Sequence, residues 1–163
     1  MIPWLPEIIK LDTFEGDWNT YFQAVYAIFL KDFVQNKPMF RGQRLGLKKY
    51  PEYDGKSATF WHFISEGSVE VNRTPDLRRC ERIGWPAPII ENSIDSIVRC
   101  WETARKGDKR IILWLVAEDY VVVLSERNGY LLPWTAYMLT YQHSKDKLER
   151  EYQAFKKAKG SPL

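Results

Sequence analysis

The segment RIILWLVAEDYVVVLSERNGYLLPWTAYMLTY, residues 110–141, leaves this chain few alternatives to an antiparallel sheet. β-Branched and aromatic residues fill three runs, 110–116, 120–124 and one beginning at Tyr130, each of strand length. The link before Tyr130 ends in Asn128-Gly129, a pair that accepts positive φ and closes a tight hairpin. After Leu132 the third run is interrupted by Pro133 and Trp134. Proline has no amide hydrogen to give to a ladder, so this strand lies at an edge or carries a bulge, and a bulge re-aims side chains. Thr135 and Tyr137, two residues apart, share one face where the strand is regular.

A chain of 163 residues can bury one real core, and we read residues 1–163 as a single domain, with an irregular arm over 1–16 and a short tail over 160–163. The formal net charge of +3 does not by itself demand a nucleic-acid partner, so the placement of the cations matters more than their sum. Cys80 and Cys100 both fall in segments that read as helical, and two cysteines build no disulfide framework; free thiols are expected. No run approaches the roughly 18 apolar residues of a membrane span, and the N-terminus lacks the pattern of a signal peptide. A soluble, cytoplasmic protein is the expectation.

From Asp17, placed to cap, the residues Trp18, Tyr21, Phe22, Val25, Phe29 and Phe33 recur at helical spacing and predict a long amphipathic helix that ends before Pro38. A basic, glycine-bearing loop with Arg41, Arg44, Lys48 and Lys49 follows. The aromatic run 60–64 reads as a strand, which would set His62 and Glu66 on one face. A histidine there is by default a core residue with a satisfied hydrogen bond; beside a carboxylate it is also a proton-transfer candidate. Thr74 and Pro75 suit the cap and first position of a helix on which Arg78, Arg79 and Arg82 crowd together, with Arg73 just before it. Planar guanidinium groups suit phosphate, although Arg78 serves equally to pair with surface acids. Residues 85–90 read as a rigid extended link. Asn92 then caps a helix burying Ile94, Ile97, Val98 and Trp101, and Ser144 caps a final helix with a Leu148, Tyr152 and Phe155 stripe.

Cys80, Cys100, His62 and His143 match no zinc spacing, and the chain has no phosphate-binding glycine loop or nucleophile elbow. What remains is a histidine, a glutamate, an arginine cluster and a Thr/Tyr pair on a sheet. Those parts suit cleavage of RNA without a metal or cofactor. A base takes the ribose 2′-OH proton, an acid protonates the departing 5′-oxygen, and cations stabilise the transition state.

Phe60-Trp61-His62, the Arg-Arg-Cys-Glu-Arg-Ile-x-Trp order ending at Trp85, and Tyr120-Val-Val-Val-Leu followed by Thr135-Ala-Tyr137 resemble the phage-associated branch of the superfamily grouping barnase, EndoU, colicin RNases and RelE. The resemblance spans roughly residues 18–157. It implies an α+β fold, with N-terminal helices packed on an antiparallel sheet of about four strands, and endoribonuclease activity of toxin or phage-effector type. His62 would then move protons, Arg82 with Arg73 or Arg79 would hold the scissile phosphate, and Thr135 and Tyr137 would line the site. Glu66 as the base rests on strand geometry instead. Pro133-Trp134 departs from the uninterrupted aliphatic strand expected before Thr-Ala-Tyr, which bears on the role of Thr135. The expected partners are RNA and, for a toxin, an antitoxin or immunity protein. Two other readings use the same fold: a non-catalytic module that binds nucleic acid or a partner protein through Arg78, Arg79 and Arg82, and a structural phage component.

Overall fold

The computed structural model describes residues 1–66 and 74–159, so Arg73, one of the expected phosphate ligands, lies outside the described residues. The fold is α+β, with N-terminal helices, antiparallel sheets and a C-terminal helix. Helix α1, Trp18–Phe29, runs on through a π-helical turn, Leu30–Gln35, and buries Tyr21, Val25, Phe29 and Phe33. A small hairpin, β1 Met39–Phe40 with β2 Gln43–Arg44, leads into the basic loop.

The run expected to be a strand at 60–64 is instead helix α2, Ala58–Ile64. Ser57 starts it by accepting from the Phe60 amide at 3.4 Å, and all seven of its residues are buried. A short run with no polar alternate cannot signal strand or helix by period, and burial on every side is what a helix wedged among rings requires. Phe60 meets Phe22, Tyr26 and Phe29, and Phe63 meets Phe29 and Phe33.

Three further expectations are corrected. Thr74–Pro75 forms strand β4, paired with β3 Ser65–Glu66, and the arginine-bearing helix α3, Leu77–Glu81, is capped by Asp76 instead of Thr74. The link expected to be extended after Trp85 is helix α4, Pro86–Glu91, whose prolines sit in the first turn where no amide donor is needed. No helix follows Asn92. The chain turns and enters strand β5, Val98–Arg105, leaving Ile94 82% exposed while Val98 and Trp101 are buried on opposite faces of the strand.

β5 pairs with β6, Asp108–Leu115; β6 pairs with β7, Tyr120–Arg127; β7 pairs with β8, Tyr130–Met138. The order is β5-β6-β7-β8, all antiparallel, so β8 is an edge. Asn128 and Gly129 have φ of 49° and 85°, both positive as their two-residue hairpin requires. Lys106 and Gly107, at 52° and 83°, close the β5–β6 hairpin in the same way.

The sheet separates two apolar layers. On one face Ile111, Leu113, Leu115, Tyr120, Val122, Leu124 and Ala136 meet the side chains of α1 to α4. On the other, Trp101, Ile112, Trp114, Val121 and Val123 meet Leu148 and Tyr152 of helix α5, Gln142–Lys159, which begins two residues ahead of the expected cap Ser144. The N-terminal arm is pinned by side-chain donors to its backbone: Tyr21 Oη donates to Ile9 O at 2.9 Å and Trp85 Nε1 to Pro6 O at 2.8 Å. Cys80 and Cys100 are free and buried, Cys100 in β5 and not in a helix. Burial pushes both thiols up to about 12. Among the described residues no helix is long and apolar enough to cross a membrane.

Candidate active site

A cavity of about 450 Å³ opens where the C-terminal end of α2 meets the edge strand β8. His62, Ser65 and Glu66 line it from the α2–β3 junction, Arg79 from α3, and Trp134, Thr135 and Tyr137 from β8. His62 and Glu66 thus share a cavity, though not by strand alternation. The helix stops at Ile64, and β3 carries Glu66 back past the helix end, where β4 pairs with it and delivers α3. The Asp76 amide donates to Ile64 O at 2.7 Å, which fixes α3 against α2.

Arg79 ties these pieces together. Its Nη1 donates to Ser65 O at 3.0 Å, His62 O at 3.3 Å and Thr135 Oγ1 at 3.4 Å, and its Nη2 to Glu66 Oε1 at 3.2 Å. Thr135 Oγ1 in turn donates to His62 O at 3.0 Å. These carbonyls stand at the negative end of a helix, where a cation is favoured. Arg79 is therefore in part a structural clamp on the loop that presents His62. Glu66 sits on the rim, with a side chain 72% exposed.

β8 reaches the cavity through a bulge. Leu124 pairs with Pro133 and Val123 with Thr135, so Trp134 is the extra residue. The bulge places the indole beside His62, edge to face at 5.1 Å, and leaves Thr135 and Tyr137 in regular register opposite Val123 and Val121. The Arg79 guanidinium lies 5.7 Å from the centre of the Tyr137 ring. Burial raises the Tyr137 phenol above its ordinary value, against the pull of Arg105 and Arg79, so it stands protonated as an O–H donor.

The other arginines are dispersed. Arg78 lines an adjoining cavity of about 590 Å³ that shares Glu66, Arg79 and Tyr137 with the first. Arg82, expected to hold the scissile phosphate, lines neither: its Nη1 donates to Arg78 O and Glu81 Oε1 at 3.1 and 3.2 Å, and its guanidinium rests over Trp85. Arg82 is the C-cap of α3, with φ −106° and ψ 21° outside the helical range, so its side chain does not lie beside Arg79 as an i, i+3 pair within a helix would.

Sequence reasoning missed a second group of cations. By register, Arg105, Arg110 and Arg127 share the face of Thr135 and Tyr137, because Arg105 opposes Asp108, and Arg110 opposes Ser125, two residues from both Val123 and Arg127. Arg110 and Arg127 gather on the Trp134 ring. The signal was the parity of arginines flanking two hairpin turns, legible only once strand pairing is known. No family model matches the chain, and no curated protein or solved structure matches it either.

Proposed function

We propose that this chain is a metal-independent endoribonuclease of the toxin or phage-effector type, as its resemblance to the phage-associated branch of the barnase, EndoU, colicin and RelE superfamily implies, acting on cytoplasmic RNA. The observation that carries the reading is the meeting of an imidazole, a carboxylate, a guanidinium and a protonated phenol in one cavity of about 450 Å³. RNA brings its own nucleophile, so two proton-transfer groups and an anion clamp suffice. In this reading Glu66 takes the 2′-OH proton, the 2′-oxygen attacks phosphorus, and the P–O5′ bond breaks as His62 gives a proton to the 5′-oxygen. The products are a 2′,3′-cyclic phosphate and a free 5′-hydroxyl. Arg79 and the Tyr137 hydroxyl donate to the phosphoryl oxygens as charge builds. Phosphate would compete with Glu66 for Arg79 Nη2, and the exposed Glu66 is free to swing out as base. Arg82 has no part in this scheme. An antitoxin or immunity protein is the partner such an activity calls for.

The test is a digest of RNA in chelator. Intact chain should yield cyclic-phosphate ends, and His62→Ala should lose on the order of 10²-fold or more of the rate. Cleavage unaffected by the substitution would remove His62 from the chemistry.

A second reading, a non-catalytic RNA-binding module, is favoured by two observations: Arg79 is already engaged by two backbone carbonyls and a carboxylate, and His62 is 6% exposed. It expects salt-sensitive RNA binding with no product from the unsubstituted chain.

A further inference from the structure

We propose that Lys48, Arg110 and Arg127, gathered on the indole of Trp134, form a second anion subsite that takes a phosphate of single-stranded RNA flanking the one in the cavity. The nuclease reading supplies the identity of the ligand; the cluster itself is independent of it.

Three cations from distant parts of the chain converge on one ring. The Arg110 guanidinium lies 4.6 Å from its centre, that of Arg127 5.0 Å, and Lys48 Nζ 5.3 Å. Each gains from the face of the ring, yet their mutual repulsion grows as they approach. Among the described residues Asp108 is the one acid paired with any of the three, at 3.4 Å from both Arg110 and Arg127. The cluster is left with more positive charge than it has acids to offset.

Arg110 shows the imbalance most clearly. It is 9% exposed, and its Nε is buried with no hydrogen-bond partner among the described residues. Burial pulls its pKa below the ordinary guanidinium value, Asp108 opposes that pull, and Arg127 and Arg105 add to it. An incoming phosphate oxygen offers what the cluster lacks, a negative charge and an acceptor for forked N–H groups.

Arg110 and Arg127 both reach the one oxygen Asp108 Oδ2 at 3.4 Å, so a single compact anion can bridge that pair, with Lys48 on the same indole. Trp134 also lines the cavity beside His62, so a strand seated there passes directly from one site to the other. Tyr50, 65% exposed, and Lys49, 5.4 Å from its ring, extend the same basic loop beyond Lys48. Interleaved cations and aromatic rings are how proteins hold single strands whose bases are unstacked.

The probe is a fluorescent oligodeoxyuridylate of about 12 nucleotides, within the span a single-strand groove covers and uncleavable for want of a 2′-OH. Binding to the full chain is measured across a salt series. Arg127, with 38% of its side chain exposed, is removable without opening the core. Arg127→Gln should weaken binding roughly tenfold, as expected for one charge-assisted contact. The slope of log K against log salt should become shallower by about 0.7, the signature of one lost phosphate contact on a single strand. Arg127→Lys should restore the slope, Lys157→Gln on α5 should leave it unchanged, and thermal melts should coincide. An unaltered slope in Arg127→Gln, an equal loss in Lys157→Gln, or no binding by the unsubstituted chain overturns the subsite. RNA digestion in chelator separates the two claims. Cleavage with an unaltered slope sinks the subsite alone, and a flattened slope without cleavage sinks the nuclease reading alone.

Discussion

An arginine side chain only 11% exposed has to find acceptors inside the fold, and Arg79 finds them at the end of α2. Two of its acceptors are backbone carbonyls that helix geometry leaves without partners, so the clamp satisfies the helix as well as the arginine. Lysine carries the same charge without the fork. Arg79→Lys should therefore lower stability by about 2 kcal/mol in urea denaturation, the usual worth of charged hydrogen bonds left unmade. An unchanged midpoint would mean that His62 O and Ser65 O have found other donors. His62, Glu66, Arg79, Thr135 and Tyr137 were all singled out, and all line one cavity. Arg82 was singled out on the same grounds and packs on Trp85 instead, because clustering along a sequence says nothing about which way each side chain leaves a short helix.

Elements were legible where a pattern had only one physical meaning. Asn128-Gly129 admits few structures besides a two-residue hairpin, and Pro133 could not sit in a regular central strand. The run at 58–64 was ambiguous because buried helices and buried strands are apolar on every side, and Ile94 and Ile97 matched a helical period while lying in a turn. The bulge in β8 makes a sharp expectation possible. Trp134 has no partner on β7, whereas Pro133 and Thr135 pair with successive residues. Deleting Trp134 should preserve cooperative unfolding and the placement of Thr135 and Tyr137, with the indole alone lost. Deleting Ala136 should slip the register and turn Tyr137 to the opposite face. Thermal melts and near-ultraviolet circular dichroism of the two deletions would show the contrast, and equal disruption would mean that the bulge geometry itself holds the edge.

For the molecule as a whole, helix α5 is the cover without which one side of the sheet would lie bare. The Trp101 ring lies tilted at 5.3 Å from that of Tyr152 and its Nε1 donates to Glu151 Oε1 at 2.9 Å, while Arg99 lies 4.6 Å over the Tyr152 ring and 2.6 Å from Glu149. Tyr152→Ala should cost about 3 kcal/mol in urea unfolding, the scale for removing a buried aromatic ring. A loss under a third of that would mean that α5 docks through its ion pairs and not its apolar stripe. The same helix reaches Arg105, which lies 3.7 Å from Glu151, while Arg110 and Arg127 gather on Trp134, so that face carries both core and cations.

Local chemistry alone determined the Asn128-Gly129 hairpin, the interruption of β8 at Pro133 and the α5 stripe, because each follows from backbone and side-chain rules that act within a few residues. Strand β5, the helical state of 58–64, the exclusion of Arg82 and the gathering of Lys48, Arg110 and Arg127 on one indole were decided by tertiary packing. Those outcomes depend on which surfaces meet, and residues 48, 110, 127 and 134 have no common address until three strands and a loop have paired.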